Sequence, residues 1–279
     1  MWIIVATDGI ENSTKKVMEL LECDSRQKNA VTVILHGFKG RGKTTLAEAV
    51  FSEVKVEGYK YSKVRLFKDI NSTPDIIEFQ KAILQDLMEP EETIPNIIAH
   101  EDGQDALEEK LEKVEAFIYI DNVLKSSELQ LLLPKSVDNA KRVRFLLTAR
   151  DIEDFTYACP RLPLPRAYHV KGIEQREDAM SILKKEIREG IDESQFDEIT
   201  EICGGVPPML TLVAAFIGRA NDKQKAYNKL KQEKDKCGIP DNCKDPDPFL
   251  DIIRSFFKKQ DTLSLTLDEE DVKVTNLWI

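Results

Sequence analysis

Residues 37–45 read Gly37-Phe38-Lys39-Gly40-Arg41-Gly42-Lys43-Thr44-Thr45, between the apolar run Val31-Thr32-Val33-Ile34-Leu35 and the run Leu46-Ala47-Glu48-Ala49-Val50-Phe51. The order is strand, glycine-rich turn, Gly-Lys-Thr, helix, and each residue type answers one demand of a bound polyphosphate. Glycine has no Cβ, so Gly37, Gly40 and Gly42 let the backbone turn tightly and come close to a ligand. Successive N–H groups then form an anion cradle. A helix beginning near Lys43 adds the positive end of its dipole. Lys43 reaches toward the β- and γ-phosphates, and the Thr44 hydroxyl suits a Mg²⁺ ligand position. Phe38, Lys39, Arg41 and Thr45 complete the cradle. Lys39 and Arg41 either add positive charge near phosphate or face water. A glycine-rich hairpin with a surface lysine would not require the flanking strand and helix.

Around this stretch lies a chain of 279 residues, with 42% hydrophobic and 32% charged residues, long enough for two domains. The formal net charge of −10 argues against a dedicated nucleic-acid surface, which needs a basic patch to displace counterions from phosphate. The five cysteines (Cys23, Cys159, Cys203, Cys237 and Cys243) are odd in number and scattered. They imply no disulfide framework and fit a reducing, intracellular compartment, so a cytoplasmic or nucleocytoplasmic location is expected. Cys237 and Cys243 lack the further ligands that a metal site needs. Met1-Trp2-Ile3-Ile4-Val5-Ala6 lacks a basic n-region, so a signal peptide is not expected. No stretch approaches the ~20 apolar residues of a membrane span. The strand-like start so close to Met1 is also consistent with a fragment of a longer gene product.

Outward from the loop, the pattern alternates strands and helices. Val17, Leu20 and Leu21 predict a helix over 12–22 with Ser13 as its cap. The helix after the loop runs to about Val54. Lys63–Phe67 reads as a strand, Thr73-Pro74-Asp75 opens a helix, and residues 102–113 form a charged helix. Ala116–Val123 and Val143–Arg150 are continuous apolar runs, as in strands of a parallel sheet buried on both faces. Tyr168-His169-Val170 is a third, shorter run. This is the rhythm of a doubly wound α/β domain. From 174 to 232 the pattern is helical throughout, and a further helix is expected over Phe249–Phe257. The division read from these patterns has four parts. An N-terminal segment and helix span 1–30 and an α/β phosphate-binding domain spans 31–172. A helical bundle covers 173–232, and a linker, helix and acidic tail cover 233–279.

Three residues outside the loop carry further chemistry. Asp121 ends a buried strand, where a Mg²⁺-binding acid sits in such sheets. The next residue, Asn122, is an amide and cannot act as a base, which argues against rapid hydrolysis. Arg150 ends another buried strand and can grip a γ-phosphate through two donors. Pro207, in Gly204-Gly205-Val206-Pro207-Pro208, offers a flat apolar ring to a base, although glycine-proline before a helix is most often only a helix start.

Taken in order, these motifs resemble the NB-ARC family, the nucleotide switch of plant intracellular immune receptors and their animal apoptotic relatives. The resemblance rests on Gly37–Ala47, Phe117–Val123, Leu147-Thr148-Ala149-Arg150-Asp151, Tyr168–Ile173 and Cys203–Leu210, and covers roughly residues 8–230. It implies phosphate binding by Lys43 and Thr44, Mg²⁺ binding by Asp121, γ-phosphate sensing by Arg150 and adenine contact by Pro207. The segment Asp8-Gly9-Ile10-Glu11 resembles the part of the family that lines the base, which implicates Ile10. There are departures. The family usually has a second aspartate at the place of Asn122 and a glycine at the place of Lys39. Its receptors continue into a winged-helix domain with a Met-His-Asp motif, and none of His36, His100 or His169 sits in one. Leucine-rich repeats are absent too, so truncation before the winged-helix domain is expected.

The first functional expectation is a signalling switch module. It would hold ADP or ATP with Mg²⁺ between its two domains, hydrolyse slowly or not at all, and engage receptor domains or further copies of itself. The alternatives are an active ATPase, and a truncated receptor-interacting protein without nucleotide control.

Overall fold

The computed structural model describes residues 8–23, 29–37, 40–54, 59–65, 73–123, 125–152, 155, 165–173 and 176–237. Phe38 and Lys39 of the loop, Cys159, Cys243, residues 66–67 of the expected strand and the expected helix at 249–257 lie outside them. The chain divides into two compact units, Met1–Val170 and Lys171–Ile279.

The first unit runs α1 (Asp8–Leu20), β1 (Ala30–His36), α2 (Lys43–Glu53), β2 (Tyr59–Arg65), α3 (Thr73–Leu87) and α4 (His100–Lys113). It continues through β3 (Glu115–Val123), α5 (Ser126–Leu132), β4 (Val143–Ala149) and β5 (Arg166–His169). The five strands form one parallel sheet in the order β2-β3-β4-β1-β5. The strand ahead of the glycine loop and the strand ending near Asp121 are therefore not neighbours. Strand β4 lies between them.

Side chains alternate across a strand, and here the alternation feeds two cores. Ile118 and Ile120 of β3, with Phe145 and Leu147 of β4, pack with Ile83, Leu87 and Leu107 of α3 and α4. Phe117 and Tyr119 of β3, Leu146 of β4 and Val33 and Leu35 of β1 pack with Val17 of α1 and Leu46 and Val50 of α2. The continuous apolar runs are thus strands covered by helices on both faces, and the doubly wound expectation holds. Some boundaries differ. Helix α1 begins at Asp8, so Ser13 lies inside it and does not cap it. Strand β2 begins earlier than expected, at Tyr59, and the short helix α5 had no clear periodic signal.

The described residues of the second unit form the helices α6 (Arg176–Glu186), α7 (Glu193–Ile202), α8 (Pro207–Arg219) and α9 (Lys223–Cys237). Its core is made by Leu183, Phe196, Ile199, Leu210, Val213, Ile217 and Leu230. Asp192 caps α7, accepting a hydrogen bond from the Gln195 N–H at 2.9 Å, while the Gln195 side chain accepts from the Asp192 N–H at 3.1 Å. This reciprocal arrangement satisfies donors that a helix start leaves unpaired. Cys203 is fully buried, and burial pushes its thiol up, which keeps it unreactive.

Candidate phosphate and metal site

All five strands are parallel, so their carboxyl ends meet at one edge of the sheet. That edge carries His36, Asp121, Arg150 and His169. At Gly37 the backbone has φ of 140°. A Cβ built there would stand 2.7 Å from the Val170 carbonyl oxygen, so a larger residue would push the loop away from β5. Gly42, with φ of 93°, is the residue before the first turn of α2. Its left-handed backbone turns the chain so that the free N–H groups of that turn lie at the end of the loop. A helix start of this kind attracts anions.

Lys43 opens α2 and folds back to donate to the Gly37 carbonyl at 2.6 Å. Burial lowers its pKa to about 8; the Asp121 charge opposes this shift and the Arg150 charge adds to it. The ammonium is therefore held in place by the loop's own backbone, at a cost that an incoming anion would relieve. Thr44 donates to Asp121, with its Oγ1 3.0 Å from Oδ1 and 3.3 Å from Oδ2. Asp121 is 1% exposed. Thr148 of β4 also donates to Asp121 Oδ1, at 2.6 Å, and accepts the Asn122 N–H at 2.7 Å. Thr148 shares a strand face with Leu146, and Asp121 shares one with Tyr119. Both faces look toward α2, so period-2 alternation delivers hydroxyl and carboxylate to the same side as Thr44.

Asn122 has φ of 64° and lies where the β3–β4 register shifts between Ile120 and Val123. Asparagine tolerates this left-handed geometry better than most residues. Its side chain is exposed, and an amide offers no base to an attacking water. Arg150 is exposed just beyond β4, and its carbonyl accepts the Gly37 N–H at 3.3 Å. The structure therefore brings Gly37, Lys43, Thr44, Asp121 and Arg150 to one edge. Gly40, Arg41 and Thr45 are half-buried in the same loop and first turn.

Ile10 is half-buried on α1 of the first unit, and Pro207 half-buried at the first position of α8 in the second. Ahead of Pro207, Gly204 and Gly205 turn with φ of 58° and 66°, and the Gly205 carbonyl accepts the Ile173 N–H at 2.9 Å. Thr148 escaped the sequence reading. The available signal was a hydroxyl inside the buried run Val143–Ala149, two residues before Arg150 and hence on the same strand face.

The residues fit a Mg²⁺ ion. The ion takes hard oxygen ligands, keeps several waters and uses one or two carboxylates beside substrate phosphates. Asp121 and Thr44 supply such oxygens, already within hydrogen-bonding distance of each other. No group of three or more histidine, cysteine or acidic side chains that could hold a metal occurs among the described residues. No helix among them is long and apolar enough to cross a membrane.

Comparison with known proteins adds the family. The disease resistance protein RUN1 of Vitis rotundifolia is 22% identical over 214 residues, a match that covers 75% of this chain and 16% of RUN1. The chain thus spans about a sixth of that relative's length. Among solved structures, Drosophila ORC bound to DNA superposes with a TM-score of 0.53 at 15% identity, covering 96% of this chain and 85% of that one. The ADP form of the Aeropyrum pernix ORC2 protein gives 0.45 at 16% identity, covering 94% and 71%. The first of these likenesses is one of fold. The NB-ARC domain model matches residues 10–188, well over half the chain, and the protein belongs to the NB-ARC family.

Proposed function

We propose that the chain is an adenine-nucleotide switch module that holds ADP or ATP with Mg²⁺ and hydrolyses ATP slowly or not at all. The observation that carries this reading is the hydrogen-bonded set Lys43–Gly37 and Thr44–Asp121–Thr148. The site's charged and hydroxyl groups are held by hydrogen bonds to one another and to the loop backbone, which lowers the reorganisation that binding costs. Lys43 would exchange the Gly37 carbonyl for phosphate oxygens. Asp121 and Thr44 would hold Mg²⁺, which when bound neutralises phosphate charge. Gly37, Phe38, Lys39, Gly40, Arg41, Gly42 and Thr45 would contribute the rest of the phosphate cradle. Ile10 and Pro207 would supply apolar contacts to the base.

Arg150 gives the reading its switching element. Its charge already acts on Lys43, so a third phosphate beside Lys43 would lie within its field. A ligand shifts a conformational equilibrium only by its differential affinity for the two states, and the γ-phosphate would supply that difference through Arg150. Asn122 supports slow hydrolysis, since it directly follows Asp121 in the chain and its amide cannot take a proton. The match to a disease resistance protein supports a signalling role in immune reception in the cytoplasm, with receptor domains or further copies of the chain as partners. The test is calorimetric titration with Mg-ADP and Mg-ATP together with a turnover assay. Tight binding with turnover well below about 1 s⁻¹ is expected. Turnover at or above that rate would make the protein an ATPase, and absence of binding would leave it an interaction protein.

A further inference from the structure

His36 and His169 end adjacent parallel strands in direct register, and their rings stack with centroids 4.9 Å apart and 20° between planes. They stand at the edge that carries the phosphate loop. Gly37, the first glycine of the loop, follows His36 directly. Lys43 donates to the Gly37 carbonyl at 2.6 Å. The His36 carbonyl accepts the Val170 N–H at 2.8 Å, and the space for a Cβ at Gly37 is filled by the Val170 carbonyl, with His169 Cδ2 at 3.5 Å. The pair is thus connected on both strands to the backbone that forms the start of the cradle. Nothing in the mechanism proposed above uses it.

We propose that His36 and His169 are a proton-linked part of the phosphate site, the pair taking up one proton when a polyphosphate binds beside Lys43. This rests on the reading of the loop as a nucleotide site. The physical link is electrostatic. The groups that act on His36 are His169 on β5, Asp151 beyond β4 and Lys43 on α2, with Arg150 next to Asp151 in the chain. Burial first, then the charges of His169 and Lys43, disfavour the imidazolium, while Asp151 favours it. A polyphosphate seated on Lys43 cancels the charge that His36 feels from that side and adds negative charge of its own. The protonated form then becomes easier to reach. Two positive charges on stacked rings repel, so the pair takes one proton rather than two. Linkage is reciprocal: if the polyphosphate favours the proton, the proton favours the polyphosphate by the same factor. Polyphosphate affinity therefore rises as pH falls through the titration of the pair. Histidine ordinarily titrates near neutral pH and burial holds His36 below that value, so the effect grows toward the acid side.

The experiment is titration calorimetry of the whole chain with Mg-ADP, in buffers of different ionisation enthalpy, across about pH 6 to 7, about a unit below the value of about 8 at which Lys43 loses its proton. Wild type is compared with His169→Gln, at an exposed strand end, and with His36→Gln. The nucleotide's own titration is common to all three and cancels in the difference. The proposal expects wild type to take up more protons on binding than either variant. It also expects its affinity to rise several-fold more than theirs toward the acid end. Histidine ring NMR signals should move toward the protonated form when nucleotide is added at fixed pH. Equal proton uptake and parallel pH profiles in wild type and both variants overturn the proposal while leaving nucleotide binding intact. Absence of Mg-ADP binding to wild type overturns the nucleotide reading and this proposal with it.

Discussion

The two edges of the parallel sheet bury charge in opposite ways. At the edge where strands begin, Arg144 is completely buried on β4. Its guanidinium donates to the Asn29 carbonyl at 2.8 Å, the Val143 carbonyl at 3.0 Å, the Glu22 carbonyl at 3.2 Å and the Asn29 side chain at 3.2 Å. Arg166 of β5 donates to the Leu20 carbonyl at 2.5 Å and pairs with Glu22. Arg142 pairs with Glu115 at 2.6 Å and lies over the Tyr59 ring at 4.5 Å. These contacts tie the end of α1 and the strand starts together. At the other edge, Lys43 and Thr44 rest on Gly37 and Asp121, partners that a phosphate or a cation can replace. A buried cation enclosed by carbonyls of several segments supports the fold. A half-buried cation beside the glycine loop is held ready for a ligand, and part of its desolvation cost remains until the ligand arrives.

The contrast breaks most sharply on substitution. Arg144→Met removes the donors of three main-chain carbonyls at once, and a loss of about 3 kcal/mol in folding stability is expected from leaving such groups buried and unpaired. Urea unfolding measures it, and nucleotide affinity of the molecules that remain folded should not change. Lys43→Met should do the reverse. Nucleotide affinity by calorimetry should fall by about 100-fold, since charge-assisted hydrogen bonds contribute about 1.5–3 kcal/mol each. Its stability without ligand should hold or rise. If both variants lost stability equally, the two edges would not differ as described.

Two smaller effects sharpen the comparison. Thr148→Val keeps the shape of the side chain but removes the hydroxyl that holds Asp121 and accepts the Asn122 N–H. Mg²⁺-dependent nucleotide affinity should weaken by about tenfold, as for loss of a hydrogen bond that leaves a partner unpaired. Binding measured without Mg²⁺ should change much less. The smallest effect concerns pH. Lys43 titrates at about 8 in the folded, ligand-free protein and at about 10.4 when unfolded. Between those values the unfolded chain binds more protons, so this residue makes stability rise with pH across that window. The contribution should vanish in Lys43→Met and diminish when nucleotide occupies the loop. Denaturation midpoints at pH 7.5, 8.5 and 9.5, chosen about that window, compare the two proteins.

How far the site was legible in the sequence depends on how local each signal is. The glycine loop, Lys43 and Thr44 lie in one short stretch, and the strand and helix around it fix their geometry. Asp121 and Arg150 were legible because each ends a run of buried residues, and parallel strands carry such ends to one edge. Thr148 was not, because its role depends on β4 lying between β1 and β3, a pairing order set by packing rather than by neighbours in the chain. The stack of His36 and His169 was hidden for the same reason, since 132 residues of sequence separate two side chains that meet by register. At the start of α1, Ser13 has the chemistry of a cap, but the helix that packs Val17 into the core runs back through it to Asp8.

The central claim is that the loop edge is assembled to retain an adenine nucleotide. The most direct measurement is mass spectrometry of the small molecules released when freshly purified protein is denatured, with Lys43→Met prepared in parallel. The account predicts about one adenine nucleotide per wild-type chain and none from the variant. Wild-type protein that releases no nucleotide, and binds none when it is supplied with Mg²⁺, would contradict it.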